Sequence, residues 1–261
     1  MSQIPEKKIH SLDLMVSRIE KFSPTLFMLE LGLPEGDSTL PSSLPGQFLQ
    51  IRIPNCDGVF LRRPLSIYHS DERHIRLLIQ VAGKGSRHLY DSREGDSYNV
   101  LYPLGNHFPD PQGRSPLLVG GGVGLAPLLS MGEHLKGLGI DPSYLLGGRT
   151  AGAFPDLTDF RSLGKVSLTT EDGSLELKGM VTDHSLWSDF HFSDVYCCGP
   201  TPMMKAVAQK CKELNVPCYV SLENLMACGV GVCLCCVEPT VEGHKCVCKD
   251  GPVFNVNDLL W

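Results

Sequence analysis

The sequence has no long apolar segment. No run of 18 apolar residues occurs, so we expect no membrane-spanning helix and no membrane association. The amino-terminal stretch MSQIPEKKIHSLDLMV also lacks the apolar core of a secretory signal, which predicts a cytoplasmic location. Because the cytoplasm is reducing, we do not expect the eleven cysteines of this chain to form disulfides.

Clusters of basic residues are missing as well. The formal net charge is −6, and no lysine-rich block offers a surface for nucleic acid or anionic lipid. With 42% hydrophobic and 20% charged residues the composition is that of a folded globular protein. A chain of 261 residues is long enough for two domains, each with its own core.

The residues up to about 108 have the pattern of short strands. FLQIRI (48–53) has an apolar face opposite Gln50 and Arg52, and IRLLIQV (75–81) alternates in a similar way. Turn-forming residues separate these runs, and no amphipathic helix of useful length lies between them. The pattern predicts a closed or nearly closed antiparallel β-barrel.

The pattern changes after PDPQGRSP (109–116), a proline-rich stretch typical of a domain boundary. Apolar strands then alternate with helices, which predicts a parallel sheet covered on both faces. From about residue 217 the chain is too short and too rich in glycine and cysteine to build a core alone. The predicted fold is α+β and multidomain: an antiparallel β-barrel (1–108), a doubly wound α/β nucleotide-binding domain (109–216) and a small cysteine-rich segment (217–261).

Two strand-to-helix turns of the α/β domain are candidate nucleotide-binding sites. In LLVGGGVGLAPLL (117–129), Gly121, Gly122 and Gly124 allow the backbone to approach a diphosphate at the start of a helix. The run does not fit G-x-G-x-x-G, and such glycines also occur in plain tight turns. Cys198 ends the strand before the second turn, CGPTP, where it could face a nicotinamide or simply fill the core.

The barrel has two candidate anion-binding sites. In LRRPLSI (61–67), Arg63 could bind a phosphate and Ser66 could hydrogen-bond a ring nitrogen or a ribityl hydroxyl. In AGKGSRHLY (82–90), Gly85 and Ser86 precede a possible helix start. A solvated arginine pair on a strand edge is the alternative interpretation of the first segment.

Cysteines near the carboxyl terminus give the most specific pattern. Cys228, Cys233 and Cys236 read C-x4-C-x2-C, the plant-type spacing for a 2Fe-2S cluster, and Cys248 follows. Zinc sites favour C-x2-C pairs and fit this spacing poorly, and a core of inert cysteines is a third interpretation. Spacing alone leaves Cys246 as an alternative to Cys248 as the fourth ligand.

Motifs along nearly the whole chain resemble those of the ferredoxin reductase superfamily, and in detail those of the electron-transfer subunits of type B dihydroorotate dehydrogenases. The similar segments are LPGQF (44–48), RRPLSI (62–67), PLGNHF (103–108), GGGVGLAPL (120–128), CGPTPM (198–203), SLENLMACGVGVC (221–233) and CKDGPVF (248–254). The last two are the most specific. This resemblance implies FAD, a 2Fe-2S cluster and NAD as cofactors.

The resemblance also implies particular binding residues. The family's FAD contacts fall on Arg63, Pro64, Leu65, Ser66, Leu78, Ile79, Gln80, Gly85 and Ser86, and its cluster ligands on Cys228, Cys233, Cys236 and Cys248. The CKDGPVF match favours Cys248 over Cys246. Three residues depart from the family pattern: Gln80 replaces a common arginine, Tyr102 a glycine and Leu225 an arginine.

The implied function is electron transfer from the FMN of a dihydroorotate dehydrogenase catalytic subunit, through the cluster and FAD, to NAD+ in pyrimidine biosynthesis. A heterotetramer with two copies of each subunit is expected, with Val230, Val232 and Leu234 near the interface. One alternative is a reductase subunit of a sulfide dehydrogenase, hydrogenase or transhydrogenase-like complex. Arg149 is relevant to this alternative because an arginine at this position could bind the 2′-phosphate of NADP. Another is a zinc-stabilised, non-enzymatic binding module.

Overall fold

An antiparallel sheet of seven strands forms the amino-terminal region. The computed structural model describes residues 8–36, 39–189 and 191–261, so part of the amino-terminal stretch discussed above lies outside the described residues. The strands are β1 (His10–Ser23), β2 (Leu26–Gly32), β3 (Phe48–Ile51), β4 (Arg63–Ser66), β5 (His69–Ser70), β6 (His74–Gln80) and β7 (Ser97–Leu104). Their order in the sheet is β4-β3-β7-β1-β2-β6-β5.

This sheet curls into a half-barrel. Strands β4 and β5 are its two hydrogen-bonded edges, while β4 also contacts β6. The interior is filled by aliphatic side chains from the central strands, including Leu14, Leu29, Leu49 and Leu77. The predicted antiparallel architecture is confirmed, with the barrel left open between its edge strands. One short helix, α1 (Lys84–Tyr90), follows β6.

The remaining strands form a second sheet of seven strands and a separate hairpin. They are β8 (Pro116–Gly121), β9 (Ser143–Gly148), β10 (Lys165–Thr170), β11 (Leu177–Lys178), β12 (Asp194–Cys198), β13 (Cys218–Ser221), β14 (Val237–Thr240), β15 (Gly243–Cys246) and β16 (Val253–Asn255). The second sheet has the order β11-β10-β9-β8-β12-β13-β16. All its pairs are parallel except β13 with β16. The order reverses at β8, so the predicted doubly wound fold is confirmed.

Helices connect the parallel strands. They are α2 (Ala126–Gly137), α3 (Thr158–Leu163), α4 (Leu186–Asp189) and α5 (Thr201–Leu214). A 3₁₀ turn, Gly122–Leu125, joins β8 to α2. Both long helices have a proline in the first turn, where its missing N–H breaks no helical hydrogen bond. Among the described residues, no helix is both long and apolar enough to span a bilayer.

The carboxyl-terminal segment is built into the second sheet. Strand β13 pairs with β12 on one side and with β16 on the other. Along the chain, β14 and β15 come between β13 and β16 and form a separate hairpin. Cys236, Cys246 and Cys248 belong to the same buried cluster as Val195 and Val220 of the sheet. The segment therefore shares the core of the α/β domain, although residues 228–236 within it form neither helix nor strand.

Candidate functional site

A cleft lies between the half-barrel and the carboxyl edge of the parallel sheet. Its volume is about 630 Å³, and Gly121, Gly122, Gly147 and Gly148 line it at the ends of β8 and β9. Gln80 of the half-barrel lines the opposite side. Ligands of doubly wound folds bind at this edge, next to the strand where the order reverses. The cleft is thus positioned and sized for a dinucleotide.

Glycine is required at the first strand-to-helix turn. A Cβ on Gly124 would lie 2.4 Å from the backbone carbonyl oxygen of Cys198, and a Cβ on Gly121 would lie 2.8 Å from the sulfur of Met203. Gly122 has a φ of +59°, a backbone conformation that residues other than glycine rarely adopt. Gly121 and Gly122 therefore form the wall of the cleft, whereas Gly124 allows the turn to pack on the end of β12.

Two opposite charges line the cleft at adjacent strand ends. Arg149 follows β9, and Glu171 follows β10. The backbone N–H of Glu171 donates to the carbonyl of Gly148 over 3.1 Å, which holds the two strand ends together. A carboxylate accepts hydrogen bonds from ribose hydroxyls, and a guanidinium binds phosphate. Arg149 is a candidate from the sequence, whereas Glu171 is not, because only the pairing of β9 with β10 brings the two residues together.

Cys198 ends β12 with its side chain completely buried. Its thiol donates to the carbonyl oxygen of Ser221 over 3.5 Å, and it is not among the residues that line the cleft. Burial and the nearby Glu223 carboxylate raise the pKa of Cys198, so the thiol stays protonated at neutral pH. Desolvation also raises the pKa of Glu223. Glu223, two residues beyond β13, is a titratable group that sequence reasoning missed.

The two anion-binding segments predicted in the half-barrel lie together. A Cβ on Gly85 would lie 3.1 Å from Nε of Arg63, so the start of α1 packs directly against this arginine. The Ser86 hydroxyl accepts hydrogen bonds from the backbone N–H groups of Ala82 and Gly83. The serine thus shapes the loop, and the Arg63 guanidinium lies at its surface.

The other predicted flavin contacts lie on β4 and β6. Pro64, Leu65 and Ser66 are half-buried on the edge strand β4. Along β6, Leu78 belongs to the buried cluster of the α/β domain and Ile79 is packed in the half-barrel core. The neighbouring Arg62 has a structural role, since its guanidinium donates to the backbone carbonyl and the side chain of Asn99 on β7.

The four predicted cluster cysteines converge as two pairs. The cysteine loop, defined here as residues 228–236, brings the Cys233 thiol close enough to Cys228 to help lower the pKa of Cys228. Cys236 lies beside Cys248, whose backbone N–H donates to Sγ of Cys236 over 3.4 Å. Four thiols grouped two by two match the donor set of two irons with two thiolates each. No group of three or more His, Cys, Asp or Glu in the described ranges is arranged for a single metal ion.

Backbone N–H groups point at these sulfurs. Val230 N–H donates to Sγ of Cys228 over 3.4 Å, and Gly231 N–H donates to Sγ of Cys248 over 3.1 Å. Burial raises the pKa of Cys228, but N–H donors, Val230 first, outweigh it and bring that pKa down to about 6. Burial and the Cys236 thiol raise the pKa of Cys248 to about 12. The N–H donors of the loop therefore favour a negatively charged sulfur at Cys228, and the four thiols with these donors fit an iron–sulfur group.

The two other cysteines of this region differ in their surroundings. Cys235 is exposed on the loop. Cys246 is buried, and its thiol points at the carbonyl oxygen of Gly231 at 3.8 Å. A carbonyl oxygen favours a protonated thiol over a thiolate, so Cys246 lacks the donor environment that Cys248 has.

Asn106, which sequence reasoning did not single out as a functional residue, anchors the segment that carries Cys248. Its amide group donates to the carbonyls of Asp250 and Val253, and its Oδ1 accepts the N–H of Val253 over 2.9 Å. Gly105 packs so closely on Pro252 that a Cβ would lie 2.5 Å from the ring. The end of β7 and the residues after Cys248 are therefore joined directly.

Apolar side chains surround the cysteine loop on the outer surface. Leu225 is 86% exposed, Val232 76% and Leu234 65%. Exposed apolar residues grouped in this way mark an interaction surface in soluble proteins. Leu234 also has a φ of +58°, which turns the chain back toward Cys236.

A half-barrel beside a doubly wound domain, with a cysteine loop at the carboxyl terminus, defines the class of ferredoxin-reductase-type electron-transfer oxidoreductases. A solved NADH-dependent reduced ferredoxin-NADP oxidoreductase superposes with a TM-score of 0.85 at 31% identity, over 97% of this chain and 91% of that one. Phthalate dioxygenase reductase superposes with a TM-score of 0.63 at 27% identity, over 77% and 64%.

Sequence comparison narrows this class to one family. The family described as the iron-sulfur cluster binding domain of dihydroorotate dehydrogenase B matches residues 223–260. The electron transfer subunit of dihydroorotate dehydrogenase B (NAD(+)) from Caldanaerobacter subterraneus subsp. tengcongensis is 40% identical over 222 residues, which cover 83% of this chain and 87% of that protein. The subunit of the same name from Bacillus caldolyticus is 38% identical over 224 residues, with coverage of 83% and 86%. This chain belongs to the family of dihydroorotate dehydrogenase B electron transfer subunits, as the sequence predicted.

Proposed function

We propose that this chain carries electrons from the FMN of a dihydroorotate dehydrogenase catalytic subunit, through a 2Fe-2S cluster and FAD, to NAD+. The observation that carries the proposal is the pairing of four cysteines beside N–H donors on one side of a fold that has a dinucleotide cleft on the other. When bound, FAD would supply the chemistry that links two-electron hydride transfer at a nicotinamide to one-electron transfer at the cluster. The residues of this chain bind and position these groups.

Cys228, Cys233, Cys236 and Cys248 are the proposed cluster ligands. Cys248 is preferred to Cys246 because its sulfur accepts an N–H from Gly231, whereas the Cys246 thiol faces a carbonyl. Cys248 also donates its own N–H to Sγ of Cys236 over 3.4 Å. N–H donors stabilise the thiolate form that metal binding needs.

The flavin is proposed to bind along β4 and the start of α1. Arg63, which packs against Gly85 at the start of α1, is proposed to bind its diphosphate together with Ser86, and β4 and Leu78–Gln80 of β6 are proposed to contact the rest. In the cleft, Gly121 and Gly122 leave room for the nucleotide diphosphate at the start of α2. Cys198 is proposed to form the floor under the nicotinamide, with Glu223 beside it.

The catalytic partner is proposed to cover the cysteine loop. The exposed side chains of Val230, Val232 and Leu234 provide the apolar surface for this contact next to the cluster ligands. We further propose a cytoplasmic heterotetramer with two copies of each subunit, and functional regions at 1–108, 109–216 and 217–261. A net charge of −6 is unfavourable for binding nucleic acid or an anionic membrane.

The proposal is tested by serine substitutions of single cysteines. Protein purified without oxygen should contain about one FAD and two irons per chain and should be reduced by NADH. C228S, C233S, C236S and C248S should lose iron and acid-labile sulfide while keeping FAD. C235S and C246S are matched controls and should keep iron, acid-labile sulfide and FAD. Iron loss in C246S with retention in C248S would refute the assignment of the fourth ligand.

The alternative functions give different results in the same preparation. Zinc in place of iron, with no flavin, would identify a zinc-stabilised binding module. A strong preference for NADPH over NADH would favour a reductase subunit of a sulfide dehydrogenase, hydrogenase or transhydrogenase-like complex. Co-purification with an FMN-containing subunit that oxidises dihydroorotate is the result expected from the proposed function.

A further inference from the structure

Gln50 is a buried glutamine without a side-chain hydrogen bond. It lies on β3, its exposed fraction is 0%, and neither Nε2 nor Oε1 has a partner. The sequence pattern places it opposite the apolar face of its strand, where a polar residue is expected to meet solvent. Here that face is covered by the carboxyl-terminal segment.

The group that covers Gln50 is the cysteine loop. A Cβ on Gly229 would lie 2.7 Å from Cδ of Gln50, 2.8 Å from Oε1 and 3.0 Å from Nε2. Gly229 has a φ of +73° and directly follows the proposed ligand Cys228. The absence of a side chain at this position thus lets the loop rest on the carboxamide, with both of its terminal atoms facing the loop.

An amide group buried without a partner is unfavourable, because it loses its hydrogen bonds to water. Four other residues of the described ranges have one buried polar side-chain atom without a partner, namely Tyr102, Tyr144, Thr169 and Asp194. Only Gln50 has two such atoms in that set. A carboxamide in this position indicates a bound polar group that accepts hydrogen bonds from N–H groups.

We propose that Gln50 is a positioning residue for the iron–sulfur group: its side-chain N–H donates a hydrogen bond to a sulfur of that group on the Cys228 side. This inference rests on the proposed cluster ligands. The sulfurs of such a group are hydrogen-bond acceptors, and hydrogen bonds to them are one determinant of its reduction potential.

The location of Gln50 gives this hydrogen bond a role in electron transfer. Gln50 pairs with Pro64 of β4, the strand proposed to hold the flavin, while its side chain contacts the cysteine loop. Reduction adds a negative charge to the cluster, and an N–H dipole directed at it stabilises that charge. Gln50 therefore raises the cluster potential and favours electron transfer from the partner to the cluster.

The test compares Gln50→Met with Tyr144→Phe in the FAD- and iron-loaded protein. Methionine has a similar length to glutamine but no N–H, and Tyr144→Phe removes another unpartnered buried polar atom, on β9. The readout is the cluster midpoint potential, measured by a redox titration followed by electron paramagnetic resonance. In Gln50→Met we expect the equilibrium constant for reduction to fall about three- to tenfold, where tenfold corresponds to about 59 mV for one electron. Tyr144→Phe should leave the potential unchanged.

A Gln50→Met protein that keeps its iron and its wild-type potential would overturn the inference. If this variant does not fold or does not hold iron, the wild-type protein decides: glutamine labelled with ¹⁵N in its side-chain amide should show a hyperfine coupling to the reduced cluster. Absence of that coupling would also overturn the inference. Wild-type protein that contains no iron would instead refute the proposed function, so the two failures are distinguishable.

Discussion

Asn106→Ala should loosen the segment that carries Cys248. The side chain makes three hydrogen bonds to the backbone of residues 250–253, with lengths of 2.8, 2.8 and 2.9 Å. Each such bond contributes about 0.5–1.5 kcal/mol, and because the site is partly exposed we take a total of about 2 kcal/mol. At about 1.4 kcal/mol for each factor of ten, local opening of this segment should become roughly thirtyfold more frequent.

Hydrogen exchange measures this opening directly. The N–H of Val253, which donates to Asn106, and the N–H of Leu222, which donates to Pro252, should exchange faster by that factor. Iron release to a chelator should accelerate in parallel, because Cys248 lies on the same segment. Asn257→Ala is the control, since Asn257 is exposed in the same region of the chain. Wild-type exchange rates and iron retention in Asn106→Ala would refute the anchoring role.

Three further predictions concern other contacts. Glu171→Gln should increase kcat/KM for NADPH relative to NADH, because a carboxylate that lines the cleft repels a 2′-phosphate; an unchanged ratio in steady-state assays would contradict this. The Glu133 carboxylate, 2.8 Å from His69, raises the pKa of that histidine, so the pair contributes stability below about pH 6.5 that is lost as the pH rises through the folded pKa. The free energy of unfolding in urea should therefore differ more between wild type and Glu133→Gln at pH 6 than at pH 8.5. The extra difference should be no more than about 0.5 kcal/mol, because both side chains are about one-third exposed. A difference that does not change with pH would count against the pair. Leu234→Asp should weaken co-purification with the catalytic subunit and Leu177→Asp, on the opposite sheet edge, should not; equal effects would argue against docking at the cysteine loop.

The sequence predicted the features that depend on local spacing. Gly121 and Gly122 follow an apolar strand, and Cys228, Cys233 and Cys236 have a spacing that brings three thiols onto one loop. Gln50 and Asn106 could not be assigned in this way, because their partners lie far along the chain. Their environments depend on how β3 and β7 pack against the carboxyl-terminal segment, and no periodicity in the sequence encodes that contact.

The position of β13 explains how the two sites are held relative to each other. In the register of the second sheet, Cys198 pairs with Ser221, and Ser221 pairs with Val253 on the other side. Val253 is also the residue that Asn106 anchors, a few positions after Cys248. The strand on which the glycine turn packs, the strand before the cysteine loop and the segment that follows the fourth proposed ligand are thus adjacent in one sheet. Because a hydrogen-bonded sheet deforms little, the separation between the cleft and the cysteine loop is set by strand pairing and does not depend on a flexible linker.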